Sequence, residues 1–417
     1  MNTRRLGGHG LFAEYRFMAV LSLLMAFASI STDLYLPAMP AMARELHIAP
    51  GLAAMTVSMY LVGFSLGQLM WGPLSDRFGR RAPLMVGLVV FAMGSAGCAL
   101  AGSAVTIVGW RAVQAIGACA SVVIARAMVR DRFEGTRGAQ VMSTLMTIMA
   151  LAPLLGPVIG SAVLGWGGSW RLIFAILVVT GLATVVAVWT LPETLPPSRR
   201  ELGNIGSAFN AYGMLLRQRQ LLAFAGALSF FFAATFAYIA ASPFVYIAYF
   251  KLSPATYALI FSGGIVGMIA ANIGNRRLVG AWGPEKLLRA GSMSAVAAIA
   301  VMVLTHALHI DSPWAVLIPA IAFVGTTGFI VANAVTAALA AYARSTGAAS
   351  ALLGALQYGG GIVGAASVGV FADGTPGPMM DVMLVAAAGC ALCAFMAHRG
   401  ASSARVAERI DYQPQRR

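Results

Sequence analysis

Charge is what this sequence has least of. Only 10% of its residues are Asp, Glu, Lys or Arg, against about 25% in a soluble domain. Acids are the scarcer sign, 14 against 28 basic residues in 417. So little charge excludes a soluble enzyme and leaves little chain for a soluble domain. Cysteine is scarce too. Cys98, Cys119, Cys390 and Cys393 all lie in apolar runs. Cys390-x-x-Cys393 has redox or metal spacing, but no His or acid accompanies it in its run, so all four read as small packing residues. His9, His47, His306, His309 and His398 are scattered near segment ends, and no metal site is expected. The phosphate-binding pattern G-x-x-x-x-G-K-S/T does not occur, which argues against an ATP-driven engine. No constellation supports an enzyme, and no cofactor is expected.

What is abundant is long apolar sequence: 59% of residues are hydrophobic. Twelve runs are about long enough to cross a bilayer: 16–40, 51–73, 82–101, 104–128, 138–164, 169–192, 220–247, 254–274, 285–306, 312–336, 347–371 and 378–398. The expected fold is an all-α integral membrane protein of twelve helices. The net charge of +14 does not point to nucleic acid, because the basic residues alternate by segment. One set of segments carries Arg4, Arg5, Arg16, Arg77, Arg80, Arg81, Arg126, Arg130, Arg132, Arg137, Arg199, Arg200, Arg217, Arg219, Arg276, Arg277, Lys286, Arg289, Arg344 and the C-terminal arginines. The other set carries only Arg44, Arg171 and Lys251. Positive residues stay inside, so both termini are expected in the cytoplasm. The N-terminal run imitates a signal peptide but continues to Met42, and reads as an uncleaved first span.

The longest connection, 193–219, splits the chain into bundles at 1–192 and 220–398, with a tail at 399–417. It opens with a Leu-Pro-Glu-Thr-Leu-Pro-Pro stop. Ile205, Phe209, Tyr212 and Leu216 could form an amphipathic helix on the membrane. The halves echo each other: an Arg-rich NRRLVGAWGPEK follows span 8 where GPLSDRFGRR follows span 2. Such repetition is how secondary transporters place a site at the membrane midplane.

Charges inside a membrane are costly and therefore functional candidates. Asp33 is the one acid placed well inside an apolar span, and Arg111 lies early in span 4. Both sit roughly 10–14 Å below the same membrane face. That shared depth fits a direct or water-bridged pair, either a static lock or a proton switch. Burial disfavours a charged carboxyl and a nearby cation favours it, which can leave Asp33 able to titrate. Gln114, one turn from Arg111, is placed to orient the pair. Ala152, Gly156 and Gly160 form a small-residue stripe in span 5, with Pro153 and Pro157 between them. Met25, Tyr35, Tyr60, Phe232 and Phe236, with Gln114, Asn333 and Gln357, are the candidate substrate surface. Asn272 and Tyr358 are further polar candidates, and Gly359, Gly360 and Gly361 read as a gate hinge. Asp76 and Arg77, with Arg126, Arg130, Asp131 and Arg132, form a candidate network on the Arg-rich face.

The stretch Gly72–Arg81, GPLSDRFGRR, is expected to be a polar loop. Pro73 would end the incoming helix, Gly72 and Gly79 would allow turning and close approach, and Asp76 would cap the next span. The pattern G-x-L-x-D-R-x-G-R-R, carried by Gly72, Asp76, Arg77, Gly79, Arg80 and Arg81, resembles the loop motif of the major facilitator superfamily of secondary transporters. Arg111-x-x-Gln114-x-x-Gly117 resembles that superfamily's span 4 motif, which implies a part in proton transfer for Arg111. Gly156-Pro157-x-x-Gly160 resembles the antiporter motif of its drug/proton exporters, with Ser161 where a second Gly often stands. Asp33-Leu34-Tyr35-Leu36-Pro37-Ala38-Met39-Pro40 resembles the bicyclomycin- and chloramphenicol-resistance (Bcr/CflA) subgroup. The resemblance implies two pseudo-symmetric six-helix bundles in a bacterial inner membrane and a chain expected to act as a monomer. It implies proton-coupled export of small apolar drugs such as phenicols or bicyclomycin by alternating access, with Asp33 the protonatable acid. Export of an endogenous metabolite, such as an amino acid or peptide, is the alternative transporter reading. A non-transporting sensor or scaffold is the reading from another class, but it would not need an acid and an Arg at one buried depth.

Overall fold

A computed structural model describes residues 8–200, 213–340 and 346–411. Among them every regular element is helical. The α-helices are α1 Gly8–Asp33, α2 Met39–Glu45, α3 Pro50–Phe78, α4 Arg81–Ala99, α5 Ala104–Arg132, α6 Gly135–Gly165 and α7 Trp170–Trp189. The second half has α8 Arg219–Pro243, α9 Pro254–Trp282, α10 Pro284–Ala307, α11 Pro313–Gly325, α12 Thr327–Ala340, α13 Thr346–Phe371 and α14 Gly377–Asp411. They supply twelve segments long and apolar enough to span a bilayer, one for each expected run. Helices suit this composition because they satisfy every mid-segment backbone group where no water is present.

The chain packs as two compact units. One comprises Met1–Ala49, Met59–Gly203 and Ser253–Ser262; the other comprises Pro50–Ser58, Asn204–Leu252 and Gly263–Arg417. In the first, α4 packs on α5 and α7, and α1 packs on α6. In the second, α10 packs on α12 and α14, and α8 packs on α13. Each pairing in one half thus recurs six spans later in the other, and the repeat that the sequence only hints at is plain in the packing.

Three spans are not single helices. The first breaks after Asp33, passes through a 3₁₀ turn at Leu36–Ala38 and resumes as α2. Pro37 has no N–H to bond the Asp33 carbonyl, so the α-helix cannot continue through this point. The seventh span changes to π-helix at Phe244–Tyr249, after Pro243. The tenth breaks at Thr326, between α11 and α12.

The expected polar loops turn out to be mostly helix. Pro73 lies inside α3, which runs on to Phe78. The connection is only Gly79–Arg80, with Gly79 at φ +88°, a conformation open to glycine at no steric cost. Gly72 neither turns the chain nor admits a neighbour, since nothing lies within 4 Å of where its Cβ would be. Asn275, Arg276 and Arg277 likewise sit within α9, and the turn is made at Gly283, φ +74°. The two halves therefore share a left-handed glycine turn at corresponding places. Of the expected amphipathic helix, Ile205, Phe209 and Tyr212 lie outside the described residues, as does Arg344.

The glycines of span 11 do not form a hinge. α13 is continuous through Gly359, Gly360 and Gly361. A Cβ on Gly360 would collide with the Ser229 backbone of α8, and one on Gly364 with that of Ala233. Ser229 Oγ also donates to the Leu356 carbonyl at 2.8 Å. Gly360-x-x-x-Gly364 is thus a close-packing stripe. Gly360→Ala should lower the unfolding temperature in detergent by several degrees, whereas Gly359→Ala, whose Cβ meets nothing within 4 Å, should leave it unchanged or slightly higher, as helix propensity predicts. Equal effects of the two changes in a thermal melt would restore the hinge.

Candidate functional site

The break in the first span fixes the position of Asp33. Asp33 is 5% exposed, and α6 forms the wall behind it. A Cβ on Gly156 would lie 2.8 Å from the Asp33 Cβ, and one on Gly160 would run into the Leu34 carbonyl. The two glycines of the span 5 motif therefore make a trough for the irregular backbone at Asp33-Leu34. α6 itself runs unbroken through Pro153 and Pro157.

Arg111 comes to the same break from α5. That helix starts at a capping box in which Ser103 Oγ accepts from the Thr106 N–H and Thr106 Oγ1 accepts from the Ser103 N–H. Two turns on, the Arg111 side chain is wholly enclosed. Its guanidinium lies between the rings of Tyr35 and Tyr60, each centroid 4.3 Å away, with Phe174 at 5.9 Å. A desolvated cation–π contact contributes about 2 kcal/mol, so the two rings offset part of the cost of burying the charge. Nη1 donates to the Ser31 carbonyl at 3.2 Å and to Gln114 Oε1 at 2.5 Å. Ser31 is in the last turn of α1, where carbonyls lack intrahelical partners and a cation is favoured.

Gln114 Nε2 in turn donates to Ser95 Oγ at 2.8 Å, and Ser95 Oγ to the Phe91 carbonyl at 2.8 Å. The Tyr60 and Ser31 hydroxyls are hydrogen-bonded, and Tyr60 also donates to the Ala28 carbonyl at 3.2 Å. Nε and Nη2 of Arg111 have no hydrogen-bond partner. Among the described residues no ion pair links Arg111 to Asp33.

The structure therefore gathers Asp33, Arg111, Gln114, Tyr35, Tyr60, Gly156 and Gly160 at one place. Tyr35 and Tyr60 use their faces to hold Arg111, and Met25 is fully enclosed. Ser31, Ser95 and Phe174 belong to this cluster and were not singled out from sequence. For Ser31 the only signal was its place two residues before Asp33.

The charge network of the Arg-rich face forms around Arg80. The expected members Arg77 and Arg130 are exposed and stand outside it, while Arg126 approaches Met149 Sδ at 3.6 Å and Arg132 lies over Phe17. Arg80 is 6% exposed. It pairs with Asp76 at 2.5 Å and with Asp131 at 2.8 Å, and it donates to Ser75 Oγ at 2.8 Å. One guanidinium thereby ties α3 to α5. Asp76 does not cap α4. That role falls to Glu193, whose Oε1 accepts from the Arg80 N–H at 2.8 Å and Oε2 from the Arg81 N–H at 3.0 Å.

Burial alone would push the Glu193 carboxyl up. The N–H groups of Leu195, Arg80, Arg81 and Thr194 outweigh that effect and hold it below the usual glutamate range. A carboxyl depressed on folding stabilises fully above its unfolded value, near pH 4.5, and this is lost as pH falls through the lower folded value. A melt series from pH 7 down to pH 3 should therefore show Glu193→Gln already less stable than wild type at neutral pH. The two curves should converge at the acid end; a constant gap throughout would contradict the assignment.

In the second unit, Phe232 contacts Phe236 at 6.0 Å and Tyr358 at 6.1 Å between ring centroids. These rings and Gln357 are half-buried and accessible. Asn333 is buried and donates to Asn275 Oδ1 at 2.6 Å and to the Phe329 carbonyl at 2.7 Å. Both Asn333 bonds are internal: the one to Asn275 joins α12 to α9, and the one to Phe329 stays within α12. Asn272 offers its backbone to the close approach of Gly328.

Residues 21–365 match the sequence model of the Major Facilitator Superfamily. The chain is 33% identical to "Uncharacterized MFS-type transporter YdgK" of Bacillus subtilis, over 88% of this chain and 92% of that protein. It is 28% identical to "Bicyclomycin resistance protein homolog" of Haemophilus influenzae, over 89% and 93%. It is 30% identical to "Chloramphenicol resistance protein" of Pseudomonas aeruginosa, over 78% and 76%. The crystal structure of a D-xylose-proton symporter superposes with a TM-score of 0.72 over 93% of this chain and 97% of that one. At 16% identity that likeness is one of fold.

Proposed function

The chain belongs to the major facilitator superfamily, in its bicyclomycin- and chloramphenicol-resistance branch, and from that premise we propose that it exports small, largely apolar drugs in exchange for protons. It is a multi-pass protein of the bacterial inner membrane. In the proposed orientation both termini face the cytoplasm and Asp33 lies nearer the periplasmic face.

The observation that carries the reading is a buried carboxyl at a helix break, beside a buried guanidinium with two unpartnered nitrogens. A deprotonated Asp33 is drawn toward those N–H groups, and a protonated one has less reason to stay. Proton uptake from the periplasm would loosen Asp33 from Arg111 and favour drug release. Drug arriving from the cytoplasm would compete with the proton, which then leaves inward. A ligand can drive such a cycle only by binding the two states differently. Met25, Tyr35 and Tyr60 would then serve the coupling site, and the accessible rings of Phe232, Phe236 and Tyr358 with Gln357 would offer the apolar drug surface. The names of the relatives from Haemophilus influenzae and Pseudomonas aeruginosa support bicyclomycin and phenicols as first cargoes to try.

Inside-out vesicles energised to an acidic lumen test this directly. Adding chloramphenicol, then a small drug panel, should collapse part of the pH gradient with wild-type protein and not with Asp33→Asn. An equal response from the variant would make Asp33 structural. No response to any drug from either protein would favour an endogenous metabolite as cargo.

A further inference from the structure

An acid that the coupling site does not use lies in the second unit. Asp381 sits one turn into α14, within the membrane-spanning segment Gly377–Ala397. It is exposed and makes no hydrogen bond or ion pair with any described residue. It borders a groove of about 480 Å³ between α8, α13 and α14. Apart from this carboxylate the walls are almost wholly apolar: Phe230, Val363, Phe371, Val382 and Val385. We propose that this groove holds a phospholipid whose headgroup carries a primary ammonium, with an acyl chain along the apolar walls and the ammonium on Asp381.

Depth and charge argue for this occupant. Asp381 follows the start of α14 by four residues, about 6 Å along the axis, which places it just below the polar interface. An unpaired carboxylate at that level is costly, and a cation reaching down from the headgroup layer relieves the cost. An anionic headgroup would be repelled. The openness of the groove decides between a lipid and a drug. Val385 is 71% exposed, Phe371 65% and Val363 63%, so an occupant is covered on one side only. Binding sites for drug-sized ligands enclose most of the ligand. A half-covered site binds weakly and fills only with something abundant beside it, as the bilayer's own lipids are. In the proposed orientation this is the outer leaflet of the inner membrane; the lipid assignment itself does not depend on which face that is.

Native mass spectrometry of the full chain, released from nanodiscs of equimolar dioleoyl-phosphatidylethanolamine and dioleoyl-phosphatidylglycerol, tests the proposal. Wild type should retain the ethanolamine lipid over the glycerol lipid by about fivefold, the scale of one charge contact at a membrane surface. Asp381→Asn should retain both equally, and Asp381→Glu should recover most of the preference. Size-exclusion profiles matching wild type would show that the variants are folded. Equal retention by wild type, or an unchanged preference in Asp381→Asn, would overturn the proposal. Loss of the retained lipid on adding micromolar dodecylammonium, with that amine bound in its place, would also overturn it and make the groove a site for lipophilic amines.

Discussion

The fold of the first unit turns on one buried guanidinium. Arg111 has no water to solvate it, so its surroundings must do so. Two tyrosine rings cover its faces, a serine carbonyl at the end of α1 takes one N–H, and Gln114 takes another. Each of these partners is then committed. Tyr60 must hold Ser31, Gln114 must hold Ser95, and α1 must stop where Ser31 can offer its carbonyl. The break that exposes that carbonyl is the break that leaves Asp33 beside the cation. Structure and proposed chemistry meet at one place: Pro37 keeps the α-helix from continuing, α1 stops at Asp33, and the arginine bonds the Ser31 carbonyl in its last turn.

The glycines complete the same arrangement. Gly156 and Gly160 admit the irregular backbone of Asp33 and Leu34. Gly94 faces the Gln114 backbone, and Gly63 faces Ala112. Without these close approaches the helices would stand too far apart for one side chain to reach carbonyl, amide and rings together. At the Arg-rich end Arg80 plays a similar part in a more polar setting, joining α3 to α5 while Glu193 closes the start of α4.

The twelve spans were legible because a bilayer sets a length and an apolar composition that few other structures share. The buried pair was legible for the same reason: a charge in an apolar run stands out, and depth follows from counting residues. The angle around each helix does not follow, so the tyrosine clamp on Arg111 and its bond to Ser31 could not be read in advance. Glu193 was hidden differently. The N–H groups it caps, those of Arg80 and Arg81, lie over a hundred residues earlier, and beside prolines it read as part of a stop. Gly360 was misjudged because looseness and close contact ask for the same residue. Pro73 was misjudged because a proline in a long membrane helix need not end it.

Hydrogen–deuterium exchange across the break is the measurement that bears most directly on the central role of Arg111. Amides of residues 30–38 should exchange much faster in Arg111→Met than in wild type, while those of α8 stay as they are. Met keeps the bulk of the side chain and removes the donors, so the difference would report the loss of the carbonyl contact and the ring clamp. Unchanged protection of residues 30–38 would contradict the account, because the break would then be held by proline and packing alone.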